Sequence, residues 1–263
     1  MSVSRGQPPG HAFVLHQWDW SETSLILDLF TREQGRVAAV AKGAKRPYSQ
    51  LRSVLLPFQR LQVQLGRGKD EEGSEIVTLR SAEYAHQGSV LPSARLLTGF
   101  YLNELLQKLL ARGDPHGRLF DAYADALQAL AVDDDEATLR AFELVLLQET
   151  GVLPALDLDA MRQTPLQPDQ GYLLRAEAGL VRAAADEPLP LRGAHGLALA
   201  AALQAGNGAA LRLACRDSGA ALKAQLRPLL HYHLGTPQLR TRQTLLAVRR
   251  LIDAAPSPSS DTP

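Results

Sequence analysis

The sequence predicts an α+β protein, with a small five-stranded barrel at the N-terminal end and a mainly α-helical domain after it. Two observations carry this. Apolar residues recur at every second position up to about Tyr84 and at every third or fourth position beyond it, which is the change from strand to helix spacing. Five short strands joined by tight turns within about 75 residues suit a barrel better than a sandwich. The chain has 263 residues, 45% hydrophobic and 21% charged, enough to bury a sizeable core and too apolar for a disordered protein.

Residues 1–9, rich in Ser, Gly and Pro, are expected to form a loose arm. The barrel is expected over residues 10–84. Its first strand runs from His11 to Trp20. The second, Ser24 to Thr31, has Leu25, Leu27 and Leu29 on one face, and a turn at Glu33-Gln34-Gly35 leads to a third from Arg36 to Lys42. A positively charged loop, Gly43 to Pro47, is followed by a helical turn from Leu51 to Leu56 that Pro57 ends. Leu61 to Leu65 and Glu75 to Leu79 alternate again, on either side of a polar loop from Gly66 to Gly73. The helical domain is expected over residues 85–252, with helices at Leu91–Ala111, His116–Leu130 and Glu136–Thr150. Asp133-Asp134-Asp135 is expected to cap the third of these. Residues 152–192 lose the period and hold five prolines, with a hairpin from Gly171 to Val181 inside them. Further helices are expected at Gly196–Ala205, Ala209–Leu234, with a kink or a break at Pro228, and Thr241–Ile252. Residues 253–263 read as a disordered tail.

Equal numbers of basic and acidic residues, 28 each, conceal an asymmetry. Arg32 to Lys69 holds nine basic residues against one acid, residues 91–211 hold nine against sixteen, and Arg212 to Arg250 holds eight against one. A basic stretch on a folded scaffold is a candidate phosphate-binding surface, or else a solvated face balanced elsewhere in the fold. One Cys excludes a disulfide framework and a Cys-rich zinc site, and no apolar run is long enough to cross a membrane. The absence of a secretory h-region and the cysteine usage suit the cytoplasm.

Enzyme motifs are missing. There is no phosphate-binding P-loop, since Gly66-Arg67-Gly68-Lys69 lacks the spacing, and no Gly-x-Ser-x-Gly elbow. His231 and His233 diverge on a helix, Asp157 and Asp159 read as turn formers, and Cys215 reads as a buried small hydrophobe. The scattered Asp19, Asp28, Asp157 and Asp159 give no argument for a metal-dependent nuclease.

Several blocks resemble the bacterial RecO recombination-mediator family. They are Glu22-Thr23-Ser24-Leu25, Leu29 to Arg36, Val40 to Arg46, Ser49 to Arg52, and Leu56-Pro57-Phe58. Weaker likeness follows at Tyr101 to Leu105, His116 to Phe120, Arg140 to Gly151, and Arg240-Thr241-Arg242, where Thr stands in a Ser place. The likeness covers most of residues 10–250. It implies an OB-fold before a helical domain, binding of single- and double-stranded DNA, and annealing of complementary strands. It also implies engagement of the acidic C-terminal tail of single-strand-binding protein and, with RecR, loading of RecA in gap repair. Bond-breaking chemistry is not implied, and the location is cytoplasmic, with the nucleoid. Many members carry a four-cysteine zinc module after the third helix. Here Pro154 to Val181 has no Cys, so neither zinc nor another cofactor is expected, and the hairpin resembles a zinc-free form of that module.

The DNA-binding candidates are Arg36, Lys42, Lys45, Arg46, Arg52 and Tyr48, with Arg240 and Arg242 either extending that surface or capping the last helix interface. Gly43 lets backbone approach a phosphate, and Tyr48 either stacks on a base or packs in the fold. About six phosphate contacts would give a log–log salt slope of about −4 on single strands. For the partner tail the candidates are Arg140 and Phe142, with Lys108 and Arg112 behind them. The competing reading is an OB-fold protein–protein adaptor that does not touch nucleic acid.

Overall fold

The computed structural model describes residues 9–66, 76–85, 90–132, 136–235 and 239–254, with backbone alone for Arg249 and residues 251–254. The N-terminal arm up to residue 8, most of the polar loop after Gly66, the Asp133–Asp135 cap and the tail from residue 255 lie outside them. Asp253 and Ala254, expected in the tail, belong instead to the last helix.

Five strands close into a barrel: β1 (Gly10–Asp19), β2 (Leu25–Thr31), β3 (Gly35–Ala41), β4 (Leu61–Leu65) and β5 (Val77–Tyr84). The order is β1-β2-β3-β5-β4, with β1 antiparallel to β4 and β3 parallel to β5, as in an OB barrel. A short helix, α1 (Gln50–Val54), lies between β3 and β4, and the Tyr84 hydroxyl at the end of β5 donates to the Ser53 carbonyl and ties it down. Ala12, Val14, Leu27, Leu29, Ala39, Leu61 and Val63 point inward and form the barrel core.

The outward residues of β1 and β2 meet a second core. Phe13, Leu15 and Phe30 pack with Leu102, Leu106, Phe120 and Tyr123 of the helical domain. A β-bulge between Val14 and His16 shifts the register, and the buried Asn103 amide donates to the Leu15 carbonyl at 3.0 Å. Asn103 in turn accepts from the Tyr123 hydroxyl, so the buried amide is satisfied at both ends.

Behind a single 3-10 turn at Ser93–Arg95 come α2 (Leu96–Leu109), α3 (Gly117–Val132) and α4 (Glu136–Glu149). Two-residue strands β6 (Leu158–Asp159) and β7 (Thr164–Pro165) precede the hairpin of β8 (Gly171–Arg175) and β9 (Gly179–Arg182), which β10 (Leu191–Arg192) extends. This insertion is held by ordinary packing. Tyr172, Leu174 and Leu180 enter the helical core, and Gln225 accepts from the Leu174 amide at 2.9 Å. Asp159 accepts from the amides of Met161 and Arg162, the turn role its sequence suggests.

Helices α5 (Gly193–Ala205), α6 (Gly208–Leu234) and α7 (Arg240–Ala254) complete the chain. The break expected at Pro228 falls at Gly219, whose φ of 46° and ψ of −128° only glycine adopts readily. Proline's fixed φ is compatible with helix, so α6 continues through Pro228 with one backbone donor fewer. Among the described residues no helix is long and apolar enough to cross a membrane, and no three His, Cys, Asp or Glu side chains gather as a metal site needs.

Candidate nucleic-acid interface

The basic block of the barrel divides by function. Four of its cations have partners. Arg32 meets Asp121 through Nε and Nη2 at 3.1 and 2.9 Å, and Arg60 lies over the Phe120 ring at 5.6 Å. Lys45 pairs with Asp19 at 3.1 Å and donates to the Ser21 carbonyl.

Arg36 corrects the sequence expectation. Its guanidinium pairs with the buried Asp28 at 3.0 Å and donates to the Gln107 and Leu110 carbonyls, where α2 ends. A cation so nearly enclosed, filling orphan carbonyls at a helix C-terminus, joins the barrel to the helical domain and is withdrawn from phosphates. Gly35 beside it has φ 66°, and a Cβ there would fall 1.9 Å from the Asp114 carbonyl oxygen, so the junction demands glycine.

Lys42, Arg46 and Arg52 remain exposed, and no ion pair among the described residues engages them. Two short stretches hold them in place. The Lys45 amide donates to the Thr23 carbonyl at 3.0 Å and the Gly43 amide to Ser24 Oγ at 3.4 Å, so the β1–β2 turn braces the basic loop. Gly43 turns the chain with φ 73°, and Arg46 and Ser49 close the following turns. Tyr48 is fully exposed, which removes the packing alternative.

The same corner carries aromatic rings that the sequence reading passed over. Trp18 and Trp20 are 43% and 60% exposed, and His16 stands edge-on to Trp18 with centroids 4.4 Å apart. The register puts Trp18 opposite Ile26 and Ile26 opposite Val40, on the outer face. No local pattern reported Trp18: strict alternation from Ala12 and Val14 would send it into the barrel, and the bulge at Leu15 reverses the phase and puts it outside.

The partner-tail candidates do not converge. Phe142 is buried against Tyr123, and Arg140 lies 2.8 Å from the buried Glu143, which also accepts from the Tyr101 hydroxyl. Burial pushes the Glu143 carboxyl up, with Arg140 and the Tyr101 hydrogen bond pulling the other way. Both are therefore structural residues of α4, a correction to the sequence reading. Lys108 is exposed on the last turn of α2, and Arg112 is exposed where its backbone bridges to Arg36.

Glu104 explains the Arg240-Thr241-Arg242 motif. It accepts from the amides of Arg240 and Thr241 at 2.8 and 3.0 Å and from Thr241 Oγ1 at 2.7 Å, pinning α7 to α2. Burial raises the Glu104 carboxyl, but the donors at Thr241 and Arg240, with Lys108, outweigh it, so its pKa lies below the ordinary value. Arg240 is exposed, whereas Arg242 turns into a groove of about 710 Å³ with Arg227, His231, Pro228, Leu239 and Leu246. Burial, then Arg227 and Arg242, hold His231 below the usual histidine range. A second cavity, of about 360 Å³, lies between α3, α4 and α6 with Phe142 in its wall and Asp121 and Asp125 among its charges.

Residues 10–87 match the family model described as recombination protein O N terminal, and residues 93–243 match recombination protein O C terminal. The chain is 51% identical over 245 residues to the DNA repair protein RecO of Polaromonas naphthalenivorans (strain CJ2), covering 91% of this chain and 96% of the relative. It is 49% identical over 253 residues to the DNA repair protein RecO of Variovorax paradoxus (strain S110), with the same coverage. Two consecutive family models and identity near one half along nearly the whole of both chains place it: the chain belongs to the RecO family.

Proposed function

We propose that the chain acts in DNA repair and recombination as a mediator that binds single and double strands without sequence preference. It anneals complementary strands and, with RecR, helps load RecA onto strands coated by single-strand-binding protein. It breaks no bond in doing so. The observation that carries this reading is the trio of Lys42 and Arg46 on the loop and Arg52 on α1, exposed and braced on an OB barrel. Charges placed this way meet phosphates, which carry no sequence information. With Arg36 withdrawn and Lys45 held by an exposed Asp19, three to four contacts remain, so the single-strand salt slope is expected at about −2 to −3.

The test is fluorescence anisotropy on a labelled single strand across a salt series. Lys42→Ala/Arg46→Ala/Arg52→Ala is expected to weaken binding and flatten the slope by about 2. Equal affinity and equal slope would transfer the reading to the protein-adaptor alternative.

The acidic, apolar-ended tail of single-strand-binding protein finds its best complement in the α6–α7 groove. Arg227 and Arg242 lie there beside Leu239 and Leu246, with no carboxylate in the lining. Arg227→Ala/Arg242→Ala is expected to weaken binding of a tail peptide at least tenfold, whereas an unchanged affinity would remove the groove from consideration.

A further inference from the structure

The two tryptophans, the only ones in the chain, lie at the corner that carries the basic loop. Lys45 bridges the two features, because its ammonium contacts Asp19 and Ser21, the residues on either side of Trp20. Trp18 projects from the outer face in one row with Ile26 and Val40, and β3 runs into the loop two residues after Val40. Strands lie about 4.8 Å apart, so the row from Trp18 to Val40 spans about 10 Å. His16 meets Trp18 at 84° with centroids 4.4 Å apart, a contact that helps to hold the plane of the indole.

At 43% exposure Trp18 adds little to either core, while Phe13 and Phe30 on the same strands are buried. Lys45 reaches the residue next to it, and the two strand carboxylates near it, Asp19 and Asp28, are engaged by Lys45 and Arg36. An apolar ring flanked by phosphate-binding charge complements a nucleotide whose base is free to stack.

We propose that Trp18, positioned by His16 and with Trp20 beside it, is a base-stacking platform that makes the barrel favour unpaired over paired strands. The proposal rests on the nucleic-acid reading of the basic loop and deepens it. Duplex bases are stacked on one another and present phosphates only, so the cations serve both strand types and the indole serves one.

The experiment compares the unaltered chain, Trp18→Ala, Trp18→Phe and the Lys42/Arg46/Arg52 triple-alanine variant on a dT oligonucleotide and on a duplex of equal length. Circular dichroism checks the fold of each variant. Trp18→Ala is expected to weaken single-strand binding about 5- to 150-fold, the range of one lost stacking contact. Duplex affinity should move by less than twofold, and Trp18→Phe should recover most of the loss. In Trp20→Phe, where Trp18 is the sole indole, the oligonucleotide is expected to quench intrinsic emission and the duplex is not. Equal losses on both strand types would overturn the proposal, since Trp18 would then only be shaping the loop. Unchanged single-strand affinity in Trp18→Ala, alongside a loss in the triple variant, would overturn stacking and leave the DNA surface standing. Binding of neither strand type by the unaltered chain would overturn both.

Discussion

Phe13 and Phe30 share an outer face of β1 and β2 with His16, Trp18 and Ile26. Yet Phe13 and Phe30 are 2% and 0% exposed while Trp18 is 43% exposed. The difference is cover. The half of the face nearer Gly10 lies under α2 and α3, whose Leu102, Leu106, Phe120 and Tyr123 fill it. Past the bulge only Asp28 is covered, by Arg36 and by Gln107 of α2, and His16 and Trp18 stay exposed. The bulge at Leu15 marks the boundary, and Asn103 from α2 closes it by taking the displaced carbonyl. One strand thus builds two cores and then an open surface, and residue type at each position follows its cover rather than its strand.

The covered half should respond to mutation through stability. Phe30→Ala is expected to cost about 3–5 kcal/mol, measured by urea denaturation, because the helices cannot collapse fully into the space. Arg36→Ala strands Asp28 in the interior and is expected to cost about 3–5 kcal/mol, with part of it restored by adding Asp28→Asn. If Arg36→Ala instead lost DNA affinity at unchanged stability, the division drawn between the two halves would be wrong.

The α2–α7 dock stands between these extremes. Glu104→Gln is expected to lower stability by about 1–2 kcal/mol through weaker hydrogen bonds to Thr241 and Arg240. Its folded pKa is depressed, so this contribution is present above the unfolded value of about 4.3 and is lost as pH falls through the lower folded value. A stability profile below that pH should therefore be flatter in Glu104→Gln than in the unaltered chain. The open half should show the smallest stability change. The Lys42/Arg46/Arg52 triple-alanine variant is expected to stay within about 0.5 kcal/mol in the same denaturation experiment, although it changes binding most.

Local pattern made most of the architecture legible. Leu25, Leu27 and Leu29 reported a strand through their alternation, and Leu102, Leu105 and Leu106 reported a helix through theirs, because side-chain direction is set by backbone period. The hairpin of β8 and β9 was legible from its turn and its paired apolar runs. Site residues were less so. Arg36 and Lys42 look equivalent in a basic block, and only the position of the α2 carbonyls distinguishes them. Arg140 and Phe142 looked like a groove, but Glu143 is buried beside Arg140, and that burial is a property of the packed helices. Gly219 took the break expected of Pro228 because tolerance of positive φ, and not loss of one amide, decides where a long helix turns.

By itself the sequence determined the change from barrel to helices, the longer helices and most barrel strands, the charge asymmetry and the family, whereas it set the fifth strand short of Val77–Tyr84 and left out the two-residue strands β6, β7 and β10. Each of these depends on spacing or composition, which short-range sterics and solvation convert directly into local structure. The tertiary structure alone decided which cations remain free, which aromatic rings stay open, and that Thr241 serves as a dock for α7 on Glu104. Exposure and charge pairing are relations between segments far apart in the chain, as Arg36 with Leu110 and Glu104 with Thr241 show, and no local pattern encodes the partner that will arrive.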